Sequence, residues 1–340
     1  MFKMPAEWEL HEGTGLAWPH NEDHWPGNFS PIPHVYAAII RALAASEKVF
    51  VCVNDEAMEE AARKVLQTEI SSPLLEQVFY LRIPTDASWS RDHGPIFVRD
   101  QDGNLVVTDW IFNSWGGKYP PWDQDDAVPQ HIARIFQLPL VQPGMVLEGG
   151  SIDVNGKGTL LTTEQCLLNQ NRNPHLSRGQ IEDSLRRYLG ATNVLWLKEG
   201  IIGDDTDGHI DDIARFVNSS IVVCAVEENE ADENYQILKW NYEDLKTMRD
   251  QDGSPLKVVP LPMPDPVVYE GNRLPASYAN FYIANRAVIV PTFRCRQDKT
   301  ALTILRELFP TREVIGIDCV DLVWGLGTLH CSTQQHPSRI

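Results

Sequence analysis

The stretch VYAAIIRALAA (35–45) runs straight into KVFVCVN (48–54), an amphipathic helix pattern followed by a short apolar strand. The same order returns four more times. Helical patterns over 128–136, 178–188, 234–248 and 299–308 lead into PLVQ (139–142), NVLWL (193–197), KVVPL (257–261) and EVIGI (313–317). Most of these units are preceded by extended segments: IFVRD (96–100) with LVVTDW (105–110), TLLTT (159–163), then IARFV (213–217) with SIVVCAV (220–226), and FYIANRAVIVPTF (281–293). Strands alternating with helices define an α/β class. An open doubly wound sheet is the plainer alternative, but no GxGxxG follows a first strand to suggest nucleotide binding. The five units share a pattern and no visible sequence identity. A further helix expected over 56–66 interrupts the regularity.

No low-complexity tract or long linker divides the 340 residues, so one domain spanning 1–340 is expected. Hydrophobic residues make up 43% and charged residues 22%, as in ordinary globular chains. No apolar run approaches the roughly 18 residues a membrane span requires. The opening MFKMPAEWEL (1–10) shows no basic segment followed by an apolar one, so export is not expected. Six cysteines are scattered without a CxxC pair, and Cys52 and Cys224 sit in apolar runs. They read as reduced thiols of a cytoplasmic protein. The net charge of −18 argues against a nucleic-acid partner and suits a cationic substrate. A homo-oligomer is compatible with the sequence, which does not report the assembly state.

Polar residues that fit neither core nor turn patterns gather in five places. WSRDHGPIFVRD (89–100) carries Trp89, Arg91 and Asp92, and Asp92 beside Gly-Pro could serve only a turn. In LEGGSIDVNGKGTLLTT (147–163), Glu148 precedes two glycines that allow close backbone approach. GDDTDGHIDDIARFV (203–217) surrounds His209 with Asp204, Asp205, Asp207, Asp211 and Asp212. On a strand His209 and Asp211 would share a face. That run is either an acid/base site, a metal site or a structural turn. In RLPASYANFYIANRAVIVPTF (273–293), Asn280 could simply bind loop backbone. Finally, WGLGTLHCSTQQHP (324–337) sets Cys331 in a glycine-containing polar loop, an unusual setting for a structural cysteine. A nucleophilic thiol needs a nearby acid/base. His330 points to the opposite face on an extended chain, which makes His209 the better partner.

These motifs, with MPAEWELHEGTGLAWP (4–19) and EGGSIDVNGKGTLLTTEQCLLNQNRNP (148–174), resemble the agmatine deiminase family along almost the whole chain. That family lies in the guanidino-group-modifying superfamily with arginine deiminases and amidinotransferases, and is similar to bacterial peptidylarginine deiminases. The resemblance implies a five-bladed α/β propeller of ββαβ units, the pentein fold, around a central site. It implies deimination of agmatine to N-carbamoylputrescine and ammonia on the route to putrescine. Cys331 is implied as the nucleophile, His209 as the acid/base, and Glu148 as the carboxylate that orients it. Asp92 and Asp211 are implied to grip the guanidinium, with Trp89, Asp205 and Asn280 also at the substrate. No metal and no cofactor is implied. Three departures from the family pattern stand out: His93, the pair Asp153 and Asn155, and WGLG (324–327). Trp18, Asp23 and Trp25 are candidates for the far end of the substrate by carboxylate pairing or cation–π contact, or else form a structural cap. Rival activities are a peptidyl-arginine deiminase, an amidinotransferase, and a non-catalytic guanidinium- or metal-binding protein.

Overall fold

Among residues 2–339, which the computed structural model describes, five sheets share one plan; Met1 and Ile340, the two ends of the expected 1–340 domain, lie outside that range. In one sheet Ile96–Arg99 pairs antiparallel with Leu105–Thr108, and Leu140–Val141 then adds parallel to Leu105–Thr108 after the helix Val128–Phe136. Asp153–Val154, Thr159–Thr163 and Asn193–Leu197 repeat the plan. So do Ala214–Phe216, Ile221–Val226 and Lys257–Pro262, and likewise Tyr282–Ile283, Ala287–Thr292 and Glu313–Asp318. In each case a crossover helix precedes the parallel strand, as parallel pairing requires.

The remaining sheet joins the two ends of the chain. Gln334–Pro337 runs antiparallel to His11–Ala17, with Gly15 opposite Gln334, and Lys48–Val53 adds parallel to His11–Ala17. This pairing fixes where Cys331 emerges, three residues before the closing strand. The helix expected over 56–66 spans Glu56–Glu69 and delivers an added fourth strand, Val78–Arg82.

Local sequence explains the boundaries. The helix expected over 35–45 begins earlier, at Ile32–Ala44, because Pro33 falls in the first turn, where a missing N–H costs nothing. Its buried Tyr36, Ile39, Ile40 and Leu43 form a stripe packed toward Lys48–Val53 and the neighbouring Ala287–Thr292 and Glu313–Asp318. Burying such side chains contributes about 1.5–3 kcal/mol each. Ser177 and Gln180 form a capping box at the start of Arg178–Leu189, and Gly190 ends that helix at φ 75°. One element stands outside the five sheets: a two-stranded hairpin, Val268–Tyr269 with Asn272–Arg273.

Candidate active site

A cavity of about 610 Å³ reaches Cys331, with Trp89, Asp92 and Trp115 also lining it. Cys331 sits on the loop between the short 3-10 turn Leu322–Gly325 and the closing strand. Gly327 allows this loop to press against Trp89; a Cβ there would come 2.9 Å from the indole ring and 3.1 Å from the Cys331 Cβ. Asn280 holds the loop from below. Its side-chain oxygen accepts from Thr328 Oγ1 at 2.7 Å and from the His330 N–H at 2.9 Å, while its amide nitrogen donates to Cys331 Sγ at 3.2 Å. Burial, and then the carboxylates of Asp211, Asp212 and Asp92, push the Cys331 thiol well above its ordinary range. With these neighbours it is held as a thiol.

Asp92 lies in the single turn Ser90–His93. Its two oxygens accept from Trp115 Nε1 and from the Gly150 N–H, both at 2.9 Å. Burial still raises its pKa to about 7, aided by Glu148. Asp211 Oδ2 is 2.7 Å from His330 Nδ1 and 3.9 Å from Cys331 Sγ. Its other oxygen has no hydrogen-bond partner among the described residues. Burial, reinforced by Asp92, raises Asp211 well above the carboxylate range.

His209 has Nδ1 3.7 Å from Asp92 Oδ1, and its Nε2 has no partner among the described residues. Burial and the Arg172 guanidinium hold its pKa well below the usual value, which favours the neutral imidazole. Glu148 accepts from Arg172 Nε at 2.6 Å through one oxygen, and its other oxygen is unpartnered among the described residues. Arg172 also donates to Asp207 Oδ2 at 2.7 Å. Glu148, His209 and Cys166 bring one ligand-type atom each to within 4.8 Å of one another. The donor set is of a kind that metals accept, but Glu148 is already neutralised by Arg172.

Cys331, Asn280, Asp211, Asp92 and His209 thus converge, with Glu148 behind His209 and Trp89 in the wall. Asp205 lies at the mouth, where Tyr119 Oη donates to its carboxylate and Lys118 Nζ approaches to 3.5 Å. One sequence expectation is corrected: His209 does not lie on a strand. It precedes the 3-10 turn Ile210–Asp212, and the strand starts only at Ala214. Asp204 accepts from the His209 N–H at 2.9 Å, which bends the chain there. Trp18 and Trp25 belong to the core, with Trp25 stacked on Trp89 at 5.3 Å, whereas Asp23 does reach the cavity. His93 is buried 3.8 Å from Asp125, and Asp153 approaches Arg215 to 3.3 Å.

Sequence reasoning missed Glu7. Its carboxylate meets His330 Nε2 at 2.8 Å, Arg215 at 2.9 Å and Arg91 at 3.1 Å. Burial alone would raise its pKa, but Arg215, His330 and Arg91 override this and hold it well below the usual range. Nothing local singled it out, since Lys3 and Glu9 are also charged within the opening MFKMPAEWEL. Trp115 and Arg172 were missed as well, since neither stands in an unusual local pattern.

The arrangement places a thiol and the Asp92 carboxylate in one cavity of an α/β protein, with Asp211 beside the thiol and the His209 imidazole beside Asp92. The chain belongs to the Porphyromonas-type peptidyl-arginine deiminase family, whose model matches residues 3–337. An agmatine deiminase from Pseudomonas aeruginosa is 38% identical, with 99% of this chain and 96% of the relative covered. The solved structure of the agmatine deiminase of Enterococcus faecalis is similar, with a TM-score of 0.92 and 35% identity over 100% of this chain and 96% of that one. A substrate-bound cysteine-to-serine variant of agmatine deiminase from C. jejuni gives a TM-score of 0.90 and 34% identity, covering 100% and 97% of the two chains.

Proposed function

We propose that this chain hydrolyses agmatine to N-carbamoylputrescine and ammonia through a covalent intermediate on Cys331. The observation that carries the reading is the approach of Cys331 Sγ, 3.9 Å from Asp211 Oδ2, within an acidic pocket whose charge calls for a cation. Asp92 and Asp211 accept the N–H fork of the guanidinium and hold its carbon at the sulfur. The bound cation offsets the carboxylate charge that keeps Cys331 protonated.

The Cys331 proton then passes to His209 as Sγ bonds the guanidinium carbon. His209 returns a proton to the departing nitrogen, the C–N bond breaks, and ammonia leaves an amidino-thioether. A water gives its proton to His209 and adds to the same carbon. The C–S bond breaks, one proton of the adduct restores the Cys331 thiol, and the ureido product departs. His209 sheds its proton to the ammonia, which leaves as ammonium. Glu148 orients His209. Asn280 steadies Sγ, Trp89 walls the substrate, and Asp205 favours its cationic far end.

On the same reading the chain is one catalytic domain acting in the cytoplasm on a small guanidino cation, without a cofactor. Its five sheets are the blades of a propeller, which the repeated plan and the pairing of the two chain ends support. The family's description favours one second reading, deimination of arginine in a peptide. Agmatine, free arginine and a peptide ending in arginine, assayed separately for ammonia release, decide between them. Agmatine turnover with an amidino adduct on Cys331 by intact mass is the expected result. Turnover of the peptide alone overturns the agmatine reading.

A further inference from the structure

Resting on the proposed guanidine hydrolysis, we infer that the hairpin Val268–Arg273, closed by the contact of the Tyr269 ring with Trp324, is a size filter that admits unbranched guanidines and excludes arginine within a peptide. The cavity mouth is a continuous ring. Tyr269 and Trp324 have ring centroids 3.4 Å apart, and both residues line the cavity that ends at Cys331. Trp324 Nε1 donates to the Pro26 carbonyl at 3.2 Å, which ties it to the segment bearing His24. The His24 ring lies 6.4 Å from that of Tyr119, and Tyr119 donates to Asp205. Two residues before Asp205, Gly203 meets the hairpin again: a Cβ there would fall 2.3 Å from the Arg273 carbonyl oxygen.

The ring therefore joins the loop carrying Cys331 to the loop leading to His209. A linear guanidine can thread it end-on. Arginine in a chain carries two backbone arms on its Cα, and these need the ring to open. The hairpin is the part of the ring built to yield. Among the described residues its two strands pair only with each other; they turn at Glu270 and Gly271 with φ of 48° and 82°, and Arg273 ties the hairpin to Asp232 by an ion pair at 2.6 Å. Small changes at such a positioned wall shift discrimination by one or more orders of magnitude.

The test compares kcat/KM for benzoyl-arginine amide and for agmatine in the wild type, Tyr269→Ala and Trp324→Ala. The same two ligands are titrated calorimetrically against Cys331→Ala protein with and without each change. The ratio of the blocked arginine to agmatine is expected to rise at least tenfold in both variants, in rates and in affinities. A smaller rise in either variant overturns the filter. If the wild type turns over neither compound, the hydrolytic reading fails, and the tenfold criterion on the calorimetric ratio alone decides the filter. Thermal unfolding at the wild-type midpoint confirms that each variant is folded.

Discussion

Gly150 offers its empty side-chain position to His209: a Cβ at residue 150 would lie 2.6 Å from His209 Nδ1. The same point is 2.8 Å from Asp92 Oδ1 and 3.0 Å from Asp211 Oδ2. The glycine is the hub around which the proposed base and the two carboxylates proposed to hold the guanidinium are spaced. Its N–H donates to Asp92, so its backbone cannot withdraw without releasing that carboxylate.

Gly150→Ala should leave the fold intact and displace one or more of these three groups. A misplacement of about 1 Å costs on the order of 100-fold in rate. The drop should appear mainly in kcat, measured beside a thermal melt. A variant within threefold of wild type would show that the hub is not needed.

Ligand affinity should depend on pH in a definite direction. Burial raises Asp92 to about 7 and Asp211 well above its ordinary range. Because these folded-state pKa values exceed the unfolded ones, their contribution to stability is complete only below about pH 4 and is lost as pH rises, through about 7 for Asp92. The empty protein should therefore melt lower at pH 8 than at pH 5.5. A guanidinium ligand needs the ionised carboxylates. Agmatine binding to Cys331→Ala protein should weaken about tenfold per pH unit as pH falls below about 7, where Asp92 takes up its proton, and protonation of Asp211 adds to the loss. Calorimetric titrations across that range test the slope, and a flat profile refutes it.

The Glu7 carboxylate meets Arg91, Arg215 and His330 together. Glu7→Gln keeps the shape and removes the charge, leaving two buried guanidinium groups short of a partner. Breaking a buried pair in this way costs about 3–5 kcal/mol. Urea unfolding should show a loss of that size. Since His330 also supports Asp211, kcat should fall with it.

The Glu148, Cys166 and His209 trio bears on metal dependence. With Arg172 at 2.6 Å from Glu148, the hydrolytic reading assigns these carboxylate and imidazole groups to proton transfer. Dialysis against a chelator should leave kcat/KM within twofold of its starting value. Activity lost on chelation and restored by one added metal would hand the trio to metal binding.

Much of the architecture was legible because its signals are local. Apolar runs such as TLLTT and NVLWL coincide with the strands Thr159–Thr163 and Asn193–Leu197. The closing strand Gln334–Pro337 was not legible. Its residues are polar, and only pairing with a segment more than three hundred positions away makes them a strand. The site divides along the same line. Cys331, His209, Asp92 and Asp211 stood out because ionisable groups in glycine-containing loops are conspicuous. Glu7, Trp115 and Arg172 acquire meaning only from long-range contacts, which no local spacing reports. The hairpin at 268–273 was hidden for another reason: strands of two residues carry too little periodicity to register.

Asn280 gives the sharpest test of the electrostatics at the sulfur. Its amide nitrogen donates to Cys331 Sγ at 3.2 Å and to Asp212 Oδ1 at 3.1 Å, and its oxygen anchors the Thr328–Cys331 loop. Asn280→Ala removes the donor and leaves buried partners unsatisfied, a loss of about 1–3 kcal/mol. A loss of that size in the stabilisation of the transition state lowers kcat/KM about 5- to 150-fold. Asn280→Asp keeps the volume but replaces the donor with a carboxylate, beside a thiol already held up by three others. Its effect should exceed that of alanine, and alkylation of Cys331 by iodoacetamide should slow in the same order. If the aspartate variant reacts as fast as the alanine one, charge at residue 280 does not govern the thiol, and Asn280 serves only to hold the loop.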